Sequence, residues 1–359
     1  MWARQLAVLT LLLGCASGCA PGFAVSVASE ANRRATKTRI TGAGASFPEP
    51  IYAKWAGAYA RDHDVHVNYQ PIGSGGGISQ IKARTVDFGA SDAPLTAEEL
   101  EAADLIQFPM VVGGVVPVVR LDGVEPGSLR LTPEILVQIL MGEIRRWDAP
   151  EVARLNPDVD LPARDVTVVY RSDPSGTTWI LTHYLAAVSE QWRTQVGAGK
   201  AVQWPVGIAG KGNQGVATYV TRVDGAIGYV EQAFVELADL THVRLQNQAG
   251  EFVAPTRETV AAAAANADWA SAAGFHLKLV NQPGAQSWPI AGATFILLNR
   301  QQDDLTTARA VLEFFAWCYE QGGSLALELG YLPMPQNVVE LVAADWKREV
   351  QFDGRPIAQ

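Results

Sequence analysis

Cysteine is scarce in this 359-residue chain: Cys15, Cys19 and Cys318 are all it has. The first two fall in a leader-like segment, so the rest of the chain holds a single thiol and can close no internal disulfide. Cys318 follows Val311, Phe314 and Phe315 at helical spacing and reads as a small core residue rather than a nucleophile. Basic runs are missing as well. Together with a net charge of −9, this argues against a nucleic-acid partner, because binding a phosphate backbone takes many Lys and Arg contacts. It does not exclude one small anion held by a few local donors. No serine carries glycines two residues before and two after, so the nucleophile elbow is absent. The glycine run Gly73 to Gly77 lacks the Gly-Lys-Ser/Thr ending of a nucleotide-phosphate loop. The five histidines, His63, His66, His183, His242 and His276, make no zinc pattern, although two of them lie three apart.

What is present begins with an export-type leader. Residues 1–24 hold one basic residue, Arg4, then the apolar run Leu6 to Leu13, then small residues. That run is far short of the roughly 20 apolar residues of a membrane span. Leu12-Leu13-Gly14-Cys15 resembles a bacterial lipoprotein cleavage box, and Ala16-Ser17-Gly18-Cys19 is a second candidate. The alternative is ordinary cleavage between Ala20 and Ala24, giving a free exported protein. About 335 residues then remain, enough for two domains with real cores, and 18% charged residues is ordinary globular chemistry.

Short β-rich runs alternate with helical periodicity, as in an α/β protein. Ile40-Thr41 leads into Gly42 to Phe47, and Pro48 and Pro50 stand where a first helical turn tolerates proline, with Ile51, Trp55 and Tyr59 carrying that helix to Arg61. Val65, Val67 and Tyr69 alternate as a strand, then Gly73 to Gly77 precede a helix restarted by Ile78 and Ile81. Val86 to Ala90 reads as a strand ending at Ser91-Asp92-Ala93-Pro94, with Thr96 and Glu99 as a capping box. Asp92 is read either as a residue at a strand's carboxyl end, where open α/β sheets bind ligands, or as an Asx turn before Pro94. Met110 to Val119 is too long for one simple strand and suits a chain crossing between domains. Thr132-Pro133-Glu134 opens a helix closed by Gly142, and Arg145-Arg146 reads as a solvated face. Thr256 to Gly274 predicts a single alanine-rich helix. Thr294 to Leu298 predicts a strand, and Trp346-Lys347 lies on a last amphipathic stretch.

The densest chemistry lies in Tyr170-Arg171-Ser172-Asp173-Pro174-Ser175-Gly176-Thr177-Thr178, between an apolar strand pattern and a helix face made by Ile180, Tyr184 and Val188. A strand entering a helix through Ser-Gly-Thr aims free backbone N–H groups outward at the positive end of the helix dipole, which suits phosphate-like ligands. Arg171 adds a planar fork matched to tetrahedral oxyanions. The plainer alternative is a capped helix with a surface arginine. Four turns, at Ser46, Ser74, Asp92 and Arg171 to Thr177, each offer hydroxyls or amides beside a helix start, and that convergence favours an anion site.

These motifs are familiar as a set. Gly42-Ala43-Gly44-Ala45-Ser46-Phe47-Pro48, Gly73-Ser74-Gly75-Gly76-Gly77, Asp87 to Pro94, Arg171 to Thr177, Lys211-Gly212-Asn213 and Gly225 to Glu231 resemble the phosphate-specific periplasmic binding proteins of bacterial ABC transporters, the PstS family. The resemblance runs from about Ile40 to Trp346. It implies a two-lobed, type II-like α/β fold with the ligand in the interlobe cleft, divided as 37–118 (lobe 1, first part), 119–288 (lobe 2) and 289–359 (lobe 1, second part). It implies a periplasmic monomer, free or lipid-anchored, without a cofactor or metal, that binds inorganic phosphate and hands it to the membrane subunits of an ABC permease. Carried over residue by residue, the phosphate ligands are Ser46, Phe47 through its backbone N–H, Ser74, Asp92, Arg171, Ser175, Gly176 and Thr177, with Asp173 orienting the arginine; should Arg171 not be the main cation, Lys211 is the next candidate. Ser46 stands where relatives often have threonine, which keeps the hydroxyl. Pro174 replaces a common glycine and removes one N–H. Asp92 acts on this reading as a filter, accepting a hydrogen bond from a protonated phosphate oxygen while sulfate has no proton to give. Two alternatives stay open: a phosphoryl-transferring hydrolase whose serine attacks a phosphate ester, and a receptor for another oxyanion.

Overall fold

The strand Leu105–Val119 is buried along all of its 15 residues, and the architecture hangs from it. Over residues 105–114 it pairs antiparallel with Ala291–Asn299; from Val115 to Val119 it pairs antiparallel with Ala226–Glu231 instead. A strand covered on both faces can be apolar throughout rather than alternating. The length that argued against one simple strand is therefore one continuous strand whose two main partners change at Gly114 and Val115, with Leu332–Pro333 and Thr241–His242 adding short pairings along it.

The computed structural model describes residues 38–357, so the leader 1–24 with Cys15 and Cys19, and the first residue of the proposed segment 37–118, lie outside the described residues. The described residues fall within one compact unit. Its main sheet runs in the order Val65–Gln70, Thr38–Gly44, Phe88–Ser91, Ala291–Asn299, Leu105–Val119, Ala226–Glu231, Thr167–Arg171, Ile208–Gly210. On one side of the central pair, Thr38–Gly44 pairs parallel with both Val65–Gln70 and Phe88–Ser91. On the other, Thr167–Arg171 pairs parallel with both Ala226–Glu231 and Ile208–Gly210. The two parallel sets present their carboxyl ends toward each other across the middle of the sheet.

Helices cover the faces. Glu49–Asp62 carries proline in its first turn, Glu49 near the positive end of its dipole, and Ile51, Tyr52, Trp55, Ala58 and Tyr59 on its buried stripe. Four fully buried tryptophans bond backbone carbonyls through their ring N–H groups, three of them across distant segments and Trp192 within its own turn. Trp55 donates to Gly322 O at 2.9 Å, Trp147 to Gly225 O at 2.9 Å, Trp192 to Gly197 O at 2.8 Å and Trp288 to Val115 O at 3.1 Å. Each such bond satisfies a donor that burial would otherwise leave unpaired. Cys318 is buried in the helix Leu305–Glu320, where burial pushes its thiol pKa well up.

Two elements differ from their sequence expectation. The helix expected over Thr256 to Gly274 spans Arg257–Ala264, with Thr256 and Thr259 capping its start. Beyond it the Asp268 carboxylate accepts from the Ser271 N–H at 3.2 Å, and Trp269 turns inward against Phe295. A local side-chain bond and a tertiary contact thus override alanine propensity. The glycines expected to precede a helix form its first turn instead, in Ser74–Lys82. A Cβ at Gly77 would lie 2.5 Å from Gly44 Cα, so only glycine lets this helix approach the strand Thr38–Gly44 so closely.

Candidate functional site

Four strand-to-helix turns close on one point where the carboxyl ends of the two parallel sets meet. Ser46 and Phe47 precede the helix Glu49–Asp62; Ser74 opens Ser74–Lys82; Asp92 follows the strand Phe88–Ser91; and Arg171 ends Thr167–Arg171 before the helix Gly176–Val188. Every one of the sequence-predicted ligands is in this cluster. Ser46, Phe47, Ser74, Asp92, Arg171, Ser175 and Thr177 are at most 5% exposed, and Gly176 is buried with them.

The two sides touch through hydroxyl oxygens. Ser46 Oγ accepts from Asn213 N–H at 3.1 Å and from Asn213 Nδ2 at 3.0 Å. Ser74 Oγ accepts from Gly176 N–H at 3.0 Å and Asp92 N–H at 3.2 Å. Thr177 Oγ1 accepts from Arg171 Nη1 at 3.2 Å and Asn213 Nδ2 at 3.3 Å. Ser175 caps its own helix, accepting from the Thr178 N–H at 3.1 Å. With lone pairs used in this way, each hydroxyl keeps its proton for a further acceptor. Gly176 has to be glycine, since a Cβ there would stand 2.5 Å from both Asp92 Cβ and Ser74 Oγ.

Arg171 is held as a planar fork. Its Nε donates to Asp173 Oδ1 at 2.9 Å and its Nη2 to Asp173 Oδ2 at 2.6 Å, in a pair with hardly any exposure. Burial alone would raise the Asp173 pKa. The Arg171 hydrogen bonds and charge, with the Gly212 N–H at 2.9 Å, outweigh that and hold it below the usual carboxylate value. Lys211 is exposed at the cap of the helix Gly212–Arg222, so it is not a second cation in the cluster, and Arg171 is the buried one among the described residues.

Asp92 is the single acidic group inside the ring of donors. It forms no Asx turn: the bonds of that turn come from Ser91, whose Oγ accepts from Ala93 N–H at 3.1 Å, while neither Asp92 carboxyl oxygen has a hydrogen-bond partner among the described residues. Burial pushes its pKa up to about 7. The nearby Thr294 hydroxyl and Arg171 charge partly offset this, although neither meets it in regular hydrogen-bond geometry. A buried acceptor left open among donors can take one proton from whatever those donors hold.

Several contributors were not singled out as site residues from the sequence. Asn213 lies in Lys211-Gly212-Asn213, a motif without an assigned role, and it bonds both Ser46 and Thr177. Tyr229 and Glu231 belong to the run Gly225 to Glu231, which carried the family resemblance without an assigned site residue. The Tyr229 hydroxyl accepts the Arg171 N–H at 3.2 Å and lies 2.7 Å from Thr178 Oγ1. Tyr331 and Thr294 gave no local signal at all, because only the fold brings them in.

Comparison with known proteins follows from this geometry. Residues 27–320 match the family model of the PBP superfamily domain. The chain is 49% identical to the phosphate-binding protein PstS of Haemophilus influenzae, over 87% of this chain and 93% of that protein. It is 45% identical to the phosphate-binding protein PstS of Xylella fastidiosa strain Temecula1, over 96% and 99%. Among solved structures, the periplasmic phosphate-binding protein PfluDING, bound with phosphate, superposes with a TM-score of 0.72 at 21% identity, covering 89% of this chain and 98% of that one.

Proposed function

Because the chain belongs to the PBP superfamily and, within it, to the PstS family of phosphate-binding proteins, we propose that it binds inorganic phosphate in the periplasm and delivers it to an ABC-type membrane permease. The observation that carries this reading is the buried ring of donors around one open acceptor. Ser46, Ser74, Ser175 and Thr177 offer hydroxyl protons, Phe47 its backbone N–H, Arg171 the Nη hydrogens not used by Asp173 and Thr177, and Asp92 a single place for a ligand proton, while Gly176, whose N–H bonds Ser74 Oγ, completes the wall of the ring. Phosphate near neutral pH is a tetrahedral anion with at least one O–H, and it matches that inventory. The protein is a receptor rather than a hydrolase on this reading. The oxygens of Ser46, Ser74 and Ser175 accept N–H bonds from Asn213, Gly176 and Thr178, and none of these hydroxyls is hydrogen-bonded to a base among the described residues.

The change of partner along Leu105–Val119 supports two lobes, 37–118 with 289–359 against 119–288, and draws the crossing point back to Gly114 and Val115. Ligands joining Ser46 and Ser74 on one side to Arg171 and Thr177 on the other favour the closed arrangement. Titration calorimetry with phosphate, arsenate and sulfate at one pH, about 8 so that Asp92 is ionised, tests the proposal. Phosphate and arsenate should bind one per chain and sulfate should not. A protein that binds none of them, or one that turns over a chromogenic phosphate ester, overturns it.

The export step makes a separate prediction. If Cys15 or Cys19 becomes the lipidated first residue, the mature protein partitions with membranes, since several acyl chains hold where one anchors only marginally. Mass spectrometry of the mature N-terminus checks this. An unmodified terminus at or after Ala20 leaves a free periplasmic protein.

A further inference from the structure

Behind the Ser46–Phe47 turn lies a hydrogen-bonded group that the ring of donors does not use. Glu231, the last residue of Ala226–Glu231, is fully buried. Its Oε2 accepts the Ala233 N–H at 2.9 Å and lies 2.6 Å from the Tyr331 hydroxyl. The same hydroxyl lies 2.7 Å from the carbonyl oxygen of Phe47. Tyr331 has one proton, and the Phe47 carbonyl can only accept. Were Tyr331 to give its proton to an ionised Glu231, lone pairs of Tyr331 and Phe47 would face each other at 2.7 Å in a dry site, with an acceptor left unsatisfied. If Tyr331 donates to Phe47, the short contact to Glu231 needs a proton from the acid. Only the second arrangement satisfies every contact.

We infer that Glu231 is a neutral carboxylic acid that donates to Tyr331, so that Tyr331 donates to the Phe47 carbonyl and the pair positions the Ser46–Phe47 turn. Glu231 reaches the turn from its other side too, since its backbone N–H donates to Asn213 Oδ1 at 3.0 Å and Asn213 holds Ser46. The surroundings favour the neutral form. Oε1 has no partner among the described residues, and it sits against Gly113 and the Phe47 ring, where a Cβ at Gly113 would come within 3.0 Å of it. The titratable groups facing Glu231 are Tyr331 and Asp92, with Tyr52 beyond Tyr331, and none of these brings a positive charge. Burial first, and then Asp92, raises the Glu231 pKa well above the ordinary value, while Tyr331 and the Ala233 N–H offset this only in part. A neutral acid also keeps a second negative charge away from a bound anion.

The positioning role rests on the reading of the Phe47 N–H as a phosphate donor; the protonation state does not. Protein labelled with carbon-13 at the glutamate side-chain carboxyl should show one resonance at the position of a neutral acid. It should not titrate between about pH 5 and pH 8, and it should be missing in Glu231→Gln. A full set of resonances at the carboxylate position overturns the inference whether or not phosphate binds. Tyr331→Phe, which unlinks the acid from Phe47, should bind phosphate about tenfold more weakly and shift the Glu231 resonance. A folded Tyr331→Phe with wild-type affinity removes the positioning role; should that variant not fold, the wild-type resonance decides. If wild-type protein shows the neutral acid but binds no phosphate, the receptor reading fails and the acid assignment stands.

Discussion

Arg171→Ala should cost more phosphate affinity than any other single truncation in the site, exceeding the loss in Ser74→Ala by roughly 1–3 kcal/mol. Three effects add. The charge-assisted fork to the anion is lost, whereas Ser74→Ala removes a neutral hydroxyl contact. Asp173, whose side chain is 10% exposed, is left with an unpaired negative charge beside the ligand. Thr177 also loses its 3.2 Å contact from Nη1. Arg171→Lys should recover little, because a single ammonium cannot bridge both Asp173 oxygens and the anion. Calorimetric titration of the three variants, each checked for a cooperative melt, measures this. Equal losses in Arg171→Ala and Ser74→Ala would mean that the guanidinium is not the main cation of the cleft, and with Lys211 exposed no other buried cation among the described residues would stand in.

Asp92→Asn should change which anion is admitted more than how tightly phosphate is held. An ionised Asp92 repels any oxyanion without a proton to share, so wild-type protein should ignore sulfate and accept arsenate, whose shape and protonation match phosphate. Asparagine keeps the size, removes the charge and can turn an N–H toward an unprotonated oxygen. Sulfate should then displace labelled phosphate, which still binds through Arg171 and the backbone donors. The acidity of Asp92 adds a pH dependence. With its pKa pushed up to about 7 by burial, the carboxyl carries its own proton below that value and becomes a donor. Direct sulfate binding by the wild type should therefore rise as the pH falls through about 7, and in Asp92→Asn it should stay flat over the same range, since sulfate itself does not titrate there. A wild type that yields to sulfate at every pH, or a mutant that excludes it equally well, would show that Asp92 is not the filter.

Much of this site could be read along the chain because its parts are local. The capping box of Thr96 and Glu99, the Thr178 N–H capped by Ser175 three residues earlier, and the Arg171–Asp173 pair two residues apart form within a single turn. Residue type and spacing suffice to predict the caps, whereas the Arg171–Asp173 pair came from the family resemblance. The family motifs added which of these turns share a ligand. Even so, local reading carried the helix from Thr256 ten residues too far, since nothing in an alanine run announces that Trp269 will turn into the core.

The order of residues by itself determined the charge, the single thiol outside the leader and the alternation of strand and helix, because each can be read along the chain without knowing what packs against it. The tertiary structure alone decided which groups meet: Asn213 with Ser46 across 167 residues and Tyr331 with Phe47 across 284. It also decided their protonation. Aspartate and glutamate begin near the same acidity wherever they occur in a sequence. Asp92 and Glu231 are moved from it by the removal of water, and that desolvation is summed over every element packed around them, which no local stretch of chain contains.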